Sequence, residues 1–215
     1  ADVQAILARG VNPNIQNQCG DTALIKAARY QQQAIAEALL AARANPNIKN
    51  RNGDTALILA ALHGRQAIAE ALLTAGAIPN IKNRNGDTAL IKAASSGQLA
   101  IAEALLTARA NPNIKNRNGD TALIQAAYDG QQAIAEAILA TGVADINLRN
   151  DYNATALLSA IWALKIPMAI YLIEHGAEYT QEDQHTVAML NHVTQEIKNQ
   201  VFNAWQASQN GYVLK

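Results

Sequence analysis

Asn52-Gly53-Asp54-Thr55-Ala56-Leu57-Ile58 belongs to a phrase written four times: Gly-Asp-Thr-Ala-Leu-Ile begins at Gly20, Gly53, Gly86 and Gly119, each copy displaced by 33 residues from the last. A fixed period of this length marks a solenoid, whose unit is too small to bury its own apolar face and must stack on its neighbours. Within the unit, Asn52-Gly53 signals a tight hairpin, because both residues tolerate positive φ. Thr55 then offers its hydroxyl as a helix N-cap, and Asp54 places negative charge near the first helical amides. Ala60 and Ala61 let adjacent helices approach closely. A second helix presents Ile68, Leu72 and Leu73 inward and Glu70 outward, while Ile48, Ile81 and Ile114 are expected to pin the hairpins against the stack.

The second copy carries the fullest set of signals: Gly53-Asp54-Thr55-Ala56-Leu57-Ile58, Ala60-Ala61, Gly64, Leu72-Leu73 and Gly76-Ala77. In spacing and motif the chain resembles the ankyrin repeat family over roughly residues 2 to 178. The resemblance implies an all-α repeat solenoid in which each 33-residue unit is a β-hairpin or turn followed by two antiparallel helices. Two departures are systematic. The family's Pro after the Thr is Ala here (Ala23, Ala56, Ala89, Ala122, Ala156), and its His is Ile25, Ile58, Ile91, Ile124 or Leu158. The family uses that His to fasten neighbouring turns, so apolar packing is expected to do that work in this chain.

The expected organisation is a repeat array over 1–182 and a helical capping segment over 183–215. Residues 1–16 align with the second half of a unit, so a helix near Val3 to Ala8 either follows a removed partner or serves as a minimal cap. Repeats then run 17–49, 50–82, 83–115, 116–149 and 150–182. The fifth has drifted: Asn153-Ala154-Thr155 stands where Gly-Asp-Thr stood, and Pro167 falls near a helix start, where it is tolerated. Beyond it, Thr180 with Asp183 reads as an N-cap, and Val193, Ile197, Val201 and Trp205 form one apolar stripe facing the last repeat.

Half of the 215 residues are apolar but only 4% are aromatic, which fits a thin core of Ala, Leu and Ile. Lys plus Arg equals Asp plus Glu at 17 each, so the chain lacks the broad basic field of a nonspecific nucleic-acid binder. Cys19 has no second cysteine to pair with, and a reducing compartment is expected. No run of about 18 apolar residues and no charged-then-apolar leader occurs, so neither a membrane span nor a signal peptide is expected. The near-identical copies, rich in Asn, Gln and Ala, resemble bacterial ankyrin proteins, including those delivered into host cells; the resemblance implies a cytoplasmic or host-cytosol location.

No constellation for chemistry emerges. His63, His175, His185 and His192 share no ligand spacing, and Cys19 stands apart from any histidine, so neither a metal site nor a cofactor nor a Cys-His nucleophile is expected. Asp21, Asp54, Asp87 and Asp120 recur in identical surroundings, which suits capping rather than paired acid–base work. The basic residues Lys49 and Arg51, Lys82 and Arg84, Lys115 and Arg117 line up as two rows along the hairpin edge, followed by Arg149. They read first as a solvated charged edge, and without interleaved aromatics a partner for them would be an acidic protein rather than nucleic acid.

The second and third repeats differ at seven of 33 positions, and these varying positions point to a surface. As the resemblance implies, the expected function is non-catalytic protein–protein interaction by a monomer, with no small-molecule substrate. The alternative is the targeting part of a longer enzyme. The partner is expected on the concave face, at Leu59, Leu62 and His63, at Lys92, at Gln125 and Tyr128, and at Trp162, beneath Arg51, Arg84, Arg117 and Tyr152. Leu59, Leu62, Tyr128 and Trp162 are read as exposed anchors, because stacking gives no reason for Leu where the next copy has Lys and Ser.

Overall fold

A computed structural model describes residues 9–190 and 193–209. Among these residues there are twelve helices and no strand. The expected helix at Val3 to Ala8 lies outside the described residues. Five helix pairs follow one another: α1 (Ala23–Arg29) and α2 (Gln33–Ala41), α3 (Ala56–His63) and α4 (Gln66–Thr74), α5 (Ala89–Ser95) and α6 (Leu99–Thr107), α7 (Ala122–Asp129) and α8 (Gln132–Ala140), α9 (Ala156–Trp162) and α10 (Ile166–Glu174). The tail adds α11 (Gln181–Ala188) and α12 (Gln195–Gln209). First helices pack on first helices along the array, and second helices form a parallel outer row.

Each first helix starts for the same reason. The hydroxyls of Thr22, Thr55, Thr88, Thr121 and Thr155 accept a hydrogen bond from the backbone N–H three residues on. These helices are sandwiched between neighbours, so Ala56 through Ala61 are all buried and Ala60 and Ala61 allow the close approach their size predicts. The outer helices bury one stripe, as Ile68, Ala69 and Leu72 do in α4, and leave Glu37, Glu70, Glu103 and Glu136 in solvent. Pro167 sits in the first turn of α10, where no helical N–H is lost.

The hairpins differ from expectation in one detail. Gly53 alone takes the left-handed conformation, with φ of 79°, while Asn52 keeps a negative φ, so the tip is a turn closed by Gly53 N–H to the Asn50 carbonyl at 2.9 Å. The glycine is also required by the next repeat: a Cβ there would lie 2.7 Å from the Arg84 backbone nitrogen. Asn153, with φ of 60°, replaces it in the fifth repeat, where no further tip presses on it and its amide instead donates to Glu182.

Neighbouring turns are fastened by polar groups, which corrects the expectation of apolar packing alone. Asn50, Asn83, Asn116 and Asn150 each donate a side-chain N–H to the aspartate of the preceding repeat: Asp21, Asp54, Asp87 and Asp120, at 2.7–3.0 Å. The side-chain oxygen of the same Asn accepts two backbone N–H groups of its own turn, as Asn83 does from Asn85 and Asp87. The aspartates are thus acceptors in a relay from repeat to repeat. A second ladder runs below, where the side-chain oxygens of Asn14, Asn47, Asn80, Asn113 and Asn147 accept the N–H of Asn45, Ile78, Asn111, Asp145 and Glu178.

The tail continues the stack with different means. Thr180 and Asp183 form a reciprocal capping box at the start of α11. Arg149 reaches the buried Asp183 carboxylate at 3.0 Å. Burial acts to raise that carboxyl, but the hydrogen bonds from Arg149 and Thr180 outweigh it and hold the group below its ordinary value. α12 lies against α10; Val193 and Val201 are buried, and Ile197 and Trp205 pack on the core as their spacing predicts. Tyr179 meets Trp205 edge-on, and burial, aided by Asp183, pushes its phenol up to about 12.

Candidate protein-binding face

Three registers of each first helix vary between repeats and lie on the flank beneath the hairpin. At the first register, Lys92 bonds Asp87 at 2.7 Å and Gln125 bonds Asp120 at 2.9 Å, each five residues upstream. Both residues are half-buried, their stems lying over the helix flank. Leu59 fills the same space with a short apolar side chain and is only 4% exposed. The reading of Leu59 as an exposed anchor is therefore corrected; it belongs to the core. Ser159 is buried at this register as well.

The other two registers reach solvent. Leu62 is 37% and Tyr128 54% exposed, with Ser95 between them in the stack and Trp162 half-buried after them. Tyr30 and His63 occupy the last register, and Tyr30 is 63% exposed. Tyr30 belongs to the varying positions of this face, although it is not among the four residues read as anchors. Burial, and then the neighbouring charges of Arg65 and Arg29, push the His63 imidazole below its usual value. Arg29 is drawn inward to Asp21 at 2.9 Å.

Above this strip stand the tips. Arg51, Arg84, Arg117 and Tyr152 are all exposed. Between the third and fourth tips, Asn85, Asp87, Lys92, Ser95, Arg117 and Gln125 line an open polar notch of about 430 Å³. Of the expected residues, then, Leu62, His63, Tyr128, Arg51, Arg84, Arg117 and Tyr152 are accessible, Trp162 is partly so, and Lys92 and Gln125 are engaged with their own hairpin aspartates.

Among the described residues no group of three or more His, Cys, Asp or Glu is placed to hold a metal ion, and no helix is long and apolar enough to cross a membrane. His192 lies outside the described residues. Cys19 is exposed at the first tip.

No curated protein matches the chain. A family model described as ankyrin repeats, in three copies, matches residues 2–83, 34–116 and 90–183. Ankyrin repeats are generally protein–protein interaction modules and are typically non-catalytic. The 33-residue period, the Thr-capped inner helices and the hairpin-to-hairpin ladder agree with that match, and the chain belongs to the ankyrin repeat family.

Proposed function

We propose that this array is a non-catalytic recognition module that binds a protein partner across the exposed flank of its first helices, with the tip arginines as the rim. One observation carries the reading. Leu62 and Tyr128 are exposed at a register where the third repeat has Ser95, so the scaffold does not need a large apolar group there. Tyr30 extends the same strip toward the first repeat, and Trp162 toward the fifth. Tyr, Trp and Arg, which the strip and its rim contain, are the residues enriched in binding hot spots, whose individual losses reach about 2 kcal/mol or more.

The test is comparative capture. The wild-type array and the Leu62→Ser/Tyr128→Ser variant, both shown by thermal melting to be folded, are used as baits and the captured proteins quantified. A protein held by the wild type and lost on the order of thirty-fold from the variant supports this face. Equal capture by both moves the site elsewhere.

A further inference from the structure

Three guanidinium groups stand in line at the tips, and among the described residues no protein group engages them. Arg51, Arg84 and Arg117 share one register and are exposed, and among the described residues their side chains form no ion pair. The adjacent basic row is different. Lys49 and Lys115 donate to the backbone carbonyls of Lys82 and Arg149, and Arg149 is held by Asp183. The acid three residues after each tip arginine is also occupied: Asp54 by Asn83, Asp87 by Asn116 and Lys92, Asp120 by Asn150 and Gln125. Of the two rows in the sequence, the lysine row is tied to the scaffold at Lys49, Lys115 and Arg149 and leaves only Lys82 exposed with its side chain unbonded among the described residues, whereas all three tip arginines are left for a partner.

The free row has a defined length and a defined end. Gln18 occupies the register before Arg51, and Asp151 the register after Arg117, followed by the exposed Tyr152. Its pitch is fixed as well, because the N–H groups of Arg51, Arg84, Arg117 and Asp151 donate directly to the carbonyls of Cys19, Asn52, Asn85 and Asn118 at 2.8–3.0 Å. The tips thus advance by one helix-to-helix spacing, roughly 10 Å. A chain in the polyproline II conformation advances about 3.1 Å per residue with three residues per turn, so every third side chain faces the same way and would fall opposite an arginine.

We propose that the tip row docks an acidic segment of the partner protein in polyproline II conformation, with carboxylates at positions i, i+3 and i+6 and a basic or aromatic residue, not a fourth acid, where the segment passes Asp151 and Tyr152. The inference rests on the reading of the array as a protein-binding module and adds the chemistry of what it binds. A nucleic acid suits the row less well: no aromatic side chain lies between the arginines to stack a base, and Asp151 repels a continuing phosphate chain.

The experiment pans phage-displayed random dodecapeptides on the intact array at low ionic strength and measures the enriched peptides by fluorescence anisotropy. Enrichment of Asp or Glu at every third position is expected, with affinity falling as salt rises. Each exposed guanidinium–carboxylate pair is worth roughly two- to five-fold, so Arg51→Ala/Arg84→Ala/Arg117→Ala should weaken the selected peptide on the order of thirty-fold. Enrichment without an acidic period, no enrichment, undiminished binding by the triple variant, or a single-stranded oligonucleotide binding more tightly than the selected peptide would each overturn the proposal. The Leu62→Ser/Tyr128→Ser array separates the two readings. A peptide sensitive to that variant but not to the arginines removes the tip row and leaves the helix face. A peptide sensitive only to the arginines keeps the tip row even if no captured protein depends on the helix face.

Discussion

Replacing Asn83 with Ala should cost more than the turn that it closes. The Asn83 side chain donates to Asp54 at 2.8 Å and accepts from the N–H groups of Asn85 and Asp87 at 2.9 Å each. Neutral hydrogen bonds contribute about 1 kcal/mol each and one to a carboxylate about 1.5–3 kcal/mol. Asp54 is half-buried, so the lower end applies and Asn83→Ala should lose about 3–4 kcal/mol. Asn17 supplies the comparison. It makes the same two turn bonds, to Cys19 and Asp21, but is exposed, and its amide reaches no carboxylate among the described residues. Asn17→Ala should cost about 2 kcal/mol, because it loses the same two turn bonds but no bond to a carboxylate. Urea unfolding followed by far-ultraviolet circular dichroism measures both. Hydrogen exchange then reports whether the repeats on either side of the Asn83 turn open together, since an array need not unfold in one step. A double-mutant cycle of Asp54→Ala and Asn83→Ala should give a coupling of about 1–2 kcal/mol. Equal losses for Asn17→Ala and Asn83→Ala, together with a coupling near zero, would refute the relay.

Gly53→Ala should cost about 3 kcal/mol or more, because it adds a clash with the Arg84 backbone to a left-handed φ. Gly76→Ala meets nothing within 4 Å and should cost only about 1 kcal/mol; chemical denaturation of the two variants side by side checks the contrast. Leu164 holds φ of 58° at the register of Gly64, Gly97 and Gly130, so Leu164→Gly should raise the melting temperature slightly, by about 0.5 kcal/mol of added stability. The Asp183 carboxyl is held below its ordinary value in the folded protein, so what the Arg149 pair contributes is complete above roughly pH 4 and is lost as pH falls through the lower folded value. Trp205 fluorescence during acid titration should therefore change earlier in Arg149→Ala than in the wild type. Deleting 183–215 should expose Leu157, Leu172 and Ile173 and strip hydrogen-exchange protection from the fifth repeat; unchanged protection would mean that the segment is no cap.

Most of what one repeat encodes for itself was legible in the sequence. The threonine caps, the close-packed Ala pairs, the stripe of α4 and the Thr180–Asp183 box all involve residues a few positions apart, and their periodicity states their roles. Much of what was not legible joins residues 29 or more apart. Asp54 next to a helix start reads as a dipole partner, and only the stacked arrangement brings Asn83 to it. Leu59 was misread for a related reason: a register that tolerates Lys, Gln, Leu and Ser looks like open surface, but Lys92 and Gln125 cross it to reach their own aspartates, and Leu59 simply fills it. Variation between copies therefore marks solvent only where no polar head folds back. Leu62 and Tyr128, one turn on, pass that test.

The asparagine at the fifth tip bears on how such a protein can grow. Whole units can be added or lost by recombination wherever a glycine tip receives the next one, and the near-identity of 50–82 and 83–115 fits duplication in that interior. Past Asn153 the rule fails, because an incoming tip would meet a side chain where every earlier one met only hydrogen. Insertion is thereby disfavoured between the fifth repeat and the tail, and their junction, with its Arg149–Asp183 clasp, is kept however many units precede it.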